Sequence, residues 1–531
     1  MGQRWAAVVL SLLVWGGLGA CGEGPSQIID YSPERGAKDV STAAPIRITF
    51  DHDVNKPSVE SRLHLDPATL GTVYWQSPRQ LSYVHPALRP ATTYQVVLEA
   101  GYQDVDGNTY QLRHHWAFIT EGPPSLSGST PANAESGVDP ATYLTLDFTR
   151  EMDAASLAGA ITISPAVPLS VRSDPSDGHR AIVAPDTLLG PSTTYTVTVT
   201  TAARDVDGNQ IDRSRSLAFT TGAVRPLRHW IAFTADGAGG ISGGLMIVNE
   251  SGFPRHLFVT GTVQSFSWSP EGNRLLIQAG DDSWSAFTPG EGSVLLGFRA
   301  RWAAALASGL GYVYVDDQGT LRRLLADSTE ITVADNVTQA AVSPNGERLA
   351  LVTAQDQSST VWGYDIGLRA RYSLAVENGL VTDLAWAPAG NRIAYLRNDA
   401  EGAALRVRSL TGSAQTTTIA QGDLGAPSWL PDSTTVVFAA AIQTPNGTIR
   451  KAFLISAIAP PTALTAALGR PADAAIEVDG PVSSPDGHQI AFVSSDQIWL
   501  MNADGSRPVP LTRFDSASFP YSCRAPAWTR A

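Results

Sequence analysis

The stretch Pro481–Thr512, PVSSPDGHQIAFVSSDQIWLMNADGSRPVPLT, decides the fold of the larger part of this chain. A short approach strand ends at a Ser-Pro-Asp-Gly turn, the runs Gln489–Ser494 and Gln497–Asn502 read as two strands, and Ala503-Asp-Gly505 turns into a closing strand. Pro cannot donate to a ladder and Gly tolerates positive φ, so both fall where the chain must reverse. One copy is therefore a four-stranded antiparallel meander. Such a unit cannot cover both its faces alone, and copies stacked radially do so as a β-propeller.

Outward from this stretch, the turn recurs as Trp268-Ser-Pro-Glu-Gly272, Val342-Ser-Pro-Asn-Gly346, Trp386-Ala-Pro-Ala-Gly390, Trp429-Leu-Pro-Asp-Ser433 and Ser483-Ser-Pro-Asp-Gly487. The 74 residues between Pro270 and Pro344 leave room for a worn copy, for which Trp302 and Tyr312-Val-Tyr-Val315 are the candidates. The chain ends on Ala525-Pro-Ala-Trp528, an approach strand with no body after it, while His229-Trp-Ile-Ala-Phe233 is a body with no approach strand before it. Joining them closes a ring of seven blades over 228–531. The worn copy at Trp302 and an insertion near Pro460 leave six or eight open. These motifs resemble the TolB-like propeller family across 228–531, and the resemblance implies protein or peptide ligands.

Upstream, residues 28–121 and 125–221 repeat one another. Leu88-Arg-Pro-Ala-Thr-Thr-Tyr94 answers Leu189-Gly-Pro-Ser-Thr-Thr-Tyr195, and Asp104-Val-Asp-Gly-Asn108 answers Asp205-Val-Asp-Gly-Asn209. Alternating runs such as Ile46-Arg-Ile-Thr-Phe50 and Tyr195-Thr-Val-Thr-Val199, broken by Pro, Gly and Asn, read as β-sandwich strands. The pattern is similar to the bacterial Ig-like family of S-layer and other envelope proteins. Phe50-Asp-His-Asp-Val54 departs from that family where Phe148-Thr-Arg-Glu-Met152 keeps to it. Glu121-Gly-Pro-Pro124 and the segment from Thr221 to Leu227 read as short, semi-rigid joints. The fold class is thus all-β: two tandem Ig-like β-sandwiches followed by a β-propeller.

The N-terminus reads as an export signal over 1–20, with Arg4 before an apolar core, Ala6 to Trp15, too short for a membrane span. Leu18-Gly-Ala-Cys21 resembles the bacterial lipoprotein box, which implies a lipid on Cys21, a tether over 21–27 and a membrane-anchored protein facing the periplasm or the cell surface. With only one other cysteine, Cys523, the fold does not rely on disulfides, and Cys523 reads as a small buried hydrophobe. A net charge of −13 with no cluster of Lys and Arg excludes a nucleic-acid partner.

Candidate chemistry is sparse. Gly240-Ile-Ser242-Gly-Gly244 fits a nucleophile pattern, but it lies in a Gly-rich hairpin with no strand-turn-helix context. Asp104, Asp106 and Asn108, with their twins Asp205, Asp207 and Asn209, resemble the start of a calcium loop, yet the twelfth position holds His115 or Ser216, not Glu. Asp-Gly-Asn is also an ordinary tight turn. His114 and His115 point to opposite strand faces, which separates them as metal ligands. Nine of the thirteen Trp residues fall in the propeller, where packing between blades accounts for them. No catalytic residue and no cofactor is expected. The leading expectation is a lipid-anchored envelope protein whose Ig-like pair presents a propeller to a protein or peptide partner. The alternatives are a structural or adhesive surface component acting through the Ig-like pair, and a propeller enzyme.

Overall fold

The computed structural model describes residues 27–223, 227, 229–237, 242–252, 255–288, 292–412, 415–444, 447–459, 476–512 and 521–529. The signal segment and Cys21 lie outside these residues, as does the region of Pro460. The chain divides into two compact units, one of Met1–Leu126, Phe148–Gly159 and Thr200–Ser214, the other of Ser127–Asp147, Ala160–Val199 and Arg215–Ala531. The division runs through the second repeat, so the sequence repeat and the compact unit are not the same object.

In the first unit, strands Ile28–Ser32, Ile46–Phe50, Gln80–Val84 and Thr72–Ser77 form one sheet, and Leu63–Asp66, Thr93–Leu98 and His114–Ile119 form the other. Ile46, Ile48 and Phe50 alternate inward and meet Leu81, Tyr94, Val96, Trp116 and Phe118 in a single core. Each such side chain contributes about 1.5–3 kcal/mol by leaving water. The repeated Leu-x-Pro-x-Thr-Thr-Tyr motif now has a cause. Tyr94 Oη accepts the Arg89 N–H at 3.1 Å, while Thr120 Oγ1 donates to the Arg89 carbonyl at 2.7 Å and accepts the Thr92 N–H at 2.9 Å. In the second unit Tyr195, Thr221 and Thr193 repeat these bonds around Gly190 at 2.8, 2.6 and 2.9 Å. The tyrosine and the threonine of the closing strand thus tie the turn to the sheet in both copies.

Two short helices, Lys56–Glu60 and Ala154–Ala160, interrupt the β pattern. Local capping explains both: Asn55 Oδ1 accepts the Ser58 N–H, and Asp153 Oδ2 accepts the Ser156 N–H. Helices of only five and seven residues leave little period in the sequence, because their signal lies in the cap residue rather than in an apolar stripe.

The second unit opens with the sheets of the second sandwich, ordered Leu169–Asp174, Asp177–Pro185, Leu144–Phe148, Leu126–Thr130 and Ile161–Ser164, Thr194–Val199, Arg215–Thr221, Glu135–Val138. Seven further sheets follow among the described residues, six of four strands and one of three. Their innermost strands touch in sequence order, and the last, Asp479–Ser483, touches Tyr521–Trp528. Tyr521–Trp528 in turn pairs antiparallel with Trp230–Gly237, with Ile231 opposite Trp528 and Ala235 opposite Cys523. The chain end therefore supplies the inner strand of the first sheet, which completes the ring.

A repeated hydrogen bond joins the sheets. Trp386 Nε1 donates to the Ala341 carbonyl at 3.1 Å, Trp429 Nε1 to Ala385 at 3.0 Å, Trp528 Nε1 to Val482 at 3.1 Å and Trp268 Nε1 to Ala527 at 3.4 Å. In each case the indole at the end of an inner strand reaches the inner strand of the preceding sheet. Two of the four bonds involve the terminal strand. Burying a large apolar ring while satisfying its single donor is what fixes Trp at this position.

The Pro-x-Gly turn is equally regular. Ser269, Ser343 and Ser484 are buried, and each hydroxyl accepts an N–H across the turn, from Arg274, Arg348 and Gln489 at 2.9–3.2 Å. The worn third copy is a full sheet, Trp302–Ala305, Tyr312–Val315, Leu321–Leu324 and Glu330–Ala334. Its inner strand ends at Ala305, not at Trp302: Ala305 pairs with Tyr312 as Trp268 pairs with Leu275, and Leu306 N–H closes the turn on Gly311 as Ser269 does on Arg274. Trp302 thus begins this inner strand, and Ala305 occupies the place that Trp268 holds in the preceding sheet.

Candidate functional site

The two Asp-x-Asp-Gly-Asn segments, both in the first unit, close on themselves. Asp104 Oδ1 accepts the N–H groups of Asp106 and Asn108 at 3.0 and 2.8 Å, and Oδ2 accepts Asn108 Nδ2 at 2.8 Å. Asp205 repeats this with Asp207 and Asn209 at 3.1, 2.7 and 3.0 Å. Burial raises the Asp104 pKa, but the hydrogen bonds from Asn108, Asp106 and Gly107 outweigh it and hold the carboxyl below its usual value. Both first aspartates thus spend their oxygens on N–H groups, and the turn alone accounts for the motif. Asp205 is 3% exposed. Asp205→Ala should cost about 1–3 kcal/mol, because three donors lose their acceptor; urea unfolding of the full chain measures it.

The second turn is also part of a buried polar cluster. Thr42 Oγ1 donates to Asn209 Oδ1 at 2.9 Å, Ser41 Oγ to Asp207 Oδ2 at 2.8 Å, and the Thr42 N–H and Asn209 Nδ2 both donate to Glu121 Oε1 at 3.2 Å. Arg150 pairs with Glu121 Oε2 at 3.1 Å and with Asp39. Glu121 is 6% exposed, and its carboxyl is pushed up to about 7, by burial first and by Asp207 beside it second. Glu121 opens the Glu-Gly-Pro-Pro joint, and a buried carboxylate in such a segment leaves no periodic trace in the sequence.

The other sequence candidates sit apart. Ser242 is exposed in the hairpin between Trp230–Gly237 and Gly244–Asn249, with Gly240 and Ile241 outside the described residues. His114 stacks edge-on against Tyr31 and Trp116, whereas His115 faces solvent. Among the described residues no group of three or more His, Cys, Asp or Glu could hold a metal ion, and no helix is long and apolar enough to cross a membrane. Cys523 is fully buried, and burial pushes its thiol up to about 12.

The feature that sequence reading did not find lies where the ring closes. An open cavity of about 550 Å³ is lined by Ser428, Asp479, Gly480, Asp496, Arg524 and Pro526, together with neighbouring apolar atoms. Phe233 faces the two residues Ala525 and Pro526 across a bulge in the terminal strand, and Ala525 has φ 51°. Ser495 and Asp496 both have positive φ, 49° and 57°, as a two-residue hairpin turn requires. The bulge and the turn present Arg524 and Asp496 at the same mouth. Among the described residues, the exposed side chains of Asp479, Asp496 and Arg524 pair with no other side chain. Bulges and left-handed residues off glycine concentrate at recognition sites because only surrounding structure holds them.

No curated protein matches the chain by sequence. Similar solved structures include TolB from Acinetobacter baumannii, 11% identical over 70% of this chain and 83% of that one, with a TM-score of 0.37. The putative TolB from Agrobacterium tumefaciens is 13% identical over 53% of this chain and 88% of that one, TM-score 0.35. An oligogalacturonate lyase in complex with manganese is 12% identical over 55% and 88%, TM-score 0.39. The propeller itself rests on the seven sheets found among the described residues and on their closure by Tyr521–Trp528. The bacterial Ig-like domain family matches twice in succession, so residues 23–120 and 121–221 are two bacterial Ig-like domains.

Proposed function

We propose that this chain is a lipid-anchored cell-envelope protein, a binder and not an enzyme, whose propeller takes a protein or peptide partner at the mouth beside the ring seam. The observation that carries the reading is the cavity of about 550 Å³ ringed by the unpaired charges Asp479, Asp496 and Arg524. Charges left free at a concave, bulge-shaped mouth are available for directional contacts, and such contacts set specificity and encounter rate. A partner segment with both a cationic and an anionic group fits the two carboxylates and the guanidinium. Two Ig-like domains ahead of the propeller suit an envelope setting, and Leu18-Gly-Ala-Cys21 supplies the anchor.

Photo-cross-linking in the native envelope tests this. A photoreactive residue at position 479 or 496 of the full chain should capture one partner, and Arg524→Glu should reduce that capture about tenfold, the effect of about 1.4 kcal/mol. Capture from Tyr74, which is 58% exposed on the first Ig-like domain, without capture from the mouth would assign binding to the Ig-like pair instead. Cys21→Ser should move the chain from the membrane to the soluble fraction; retention in the membrane would remove the lipid anchor from the account.

A further inference from the structure

A second concavity of about 650 Å³ opens between the third and fourth sheets of the ring, lined by Leu310, Arg323, Asn345, Glu347, Arg348, Asp365 and Arg369, with Ile366 and Gly367. It lies at the far end of the inner strands from the seam mouth: Asn345 and Glu347 follow an inner strand, Val337–Val342, whereas Ser428 and Asp479 begin theirs. The two concavities therefore belong to opposite faces of the ring.

Arg323 is the unusual residue here. It is 8% exposed, and among the described residues the one hydrogen bond of its side chain is from Nε to the Leu310 carbonyl at 3.1 Å. Among the described residues no carboxylate pairs with it. The guanidinium keeps its two terminal nitrogens for whatever enters the pocket. Burial lowers its pKa first, Tyr364 opposes that, and the cation Arg369 lowers it further. A buried arginine is ordinarily paired, because an isolated charge out of water is costly. The pocket's two acids do not serve: Glu347 accepts from Asn345 Nδ2 at 2.7 Å, and Asp365 Oδ1 caps the Leu368 N–H at 2.8 Å. Arg348 is held by the Gly390 carbonyl at 3.2 Å and by the Trp386 face, 5.6 Å from its centroid, so its charge is fixed at the rim. Arg369 stands on the 365–369 turn with φ 51° and an exposed side chain.

We propose that this pocket is a binding site for a small organic oxyanion, a carboxylate or a phosphate ester, received by the terminal nitrogens of Arg323 with Arg369 closing over it. The planar fork of a guanidinium matches both groups in a bidentate manner. The volume admits a ligand of metabolite size rather than a bare ion, and the site is independent of partner binding at the seam.

Thermal unfolding and isothermal titration of the full chain at constant ionic strength test this, with succinate and glycerol phosphate as probes and chloride as the control. Saturable binding of succinate alone assigns a carboxylate ligand, and of glycerol phosphate alone a phosphate ligand. Arg323→Met keeps the apolar stem and should abolish the saturable response. Arg369→Gln, on the surface and safe for folding, should weaken it about two- to fivefold, the range for one exposed charge contact. Absence of saturable binding by both probes overturns the proposal, as does equal binding by the wild type and Arg369→Gln together with retained binding in Arg323→Met.

Discussion

Deleting residues 521–531 will open the ring and melt its first sheet. The terminal strand pairs with Ile231, Ala232 and Thr234–Gly237, so its removal leaves Trp230–Gly237 as an unpaired edge. Cys523, which is fully buried, and Trp528, 7% exposed, leave a core they share with Phe233, Met246, Val248 and Ile498. The indole bonds Trp528–Val482 and Trp268–Ala527, which tie the first sheet to its neighbours on both sides, are lost together. A single Trp528→Ala already creates a large cavity and should cost about 3–5 kcal/mol. For a domain of this size that corresponds to a fall in Tm on the order of 10 °C. The deletion should do more, abolishing a cooperative propeller transition in calorimetry and making residues 230–260 the first site of proteolysis. A deletion variant that melts with the full chain would show that the first sheet does not need its fourth strand.

Raising the pH from 5 to 8 will weaken the first unit, and Glu121 is the reason. Its carboxyl rises from an ordinary value of 4.5 to about 7, chiefly through burial and then through Asp207; the Thr42 N–H and Arg150 pull the other way. Arg150 is shared with Asp39, so its charge does not offset both effects. Among the described residues, the charged groups that act on the carboxyl are Asp207 and Arg150, and Arg150 is in turn acted on by Asp39 and Asp205. A folded-state pKa above the unfolded one means that the fold favours the protonated group. The stabilisation is complete below about pH 4.5 and is lost as the pH climbs through about 7. At most about 3 kcal/mol is at stake, at about 1.36 kcal/mol per unit. Glu121→Gln keeps an acceptor for the Thr42 N–H while removing the titration. Urea unfolding at pH 5, 6, 7 and 8 should show stability falling with pH in the wild type and nearly level in the variant. Equal slopes in the two proteins would place the pH dependence elsewhere.

The ring was legible from sequence because each sheet repeats a short chemical phrase whose residues have fixed roles. Ser484 closes a turn, Gly487 takes φ 76°, and Trp528 bridges sheets. The strand around Trp528 was legible for the same reason, since Ala525-Pro-Ala-Trp528 carries the start of the phrase. The copy at Trp302 was fainter because its turn Leu306–Gly311 closes without the Ser-Pro pair and its indole is not at the bridging position. The sandwiches were legible through Tyr94 and Tyr195, whose hydroxyls hold equivalent turns.

The candidate sites were less legible because they arise from long-range meetings. Glu121 meets Asn209 and Thr42 across 88 and 79 residues. Asp479 and Arg524 share a mouth only because the terminal strand returns to the start of the ring. Arg323 looks like any strand arginine until its burial and its missing acid are both seen. The Asp-Val-Asp-Gly-Asn turns illustrate the converse, a conspicuous motif whose oxygens turn inward to the chain's own N–H groups.

Closure of the ring by the chain's own end underlies the seam mouth and with it the proposed binding function, and hydrogen exchange of the intact protein tests it most directly. The amides of Trp230–Gly237 should exchange as slowly as those of Gln489–Ser494, a strand paired on both sides in the seventh sheet, and peptides covering Tyr521–Trp528 should be protected to the same degree. Fast exchange in Tyr521–Trp528, with Trp230–Gly237 behaving as a free edge, would contradict the closure and remove the mouth built upon it.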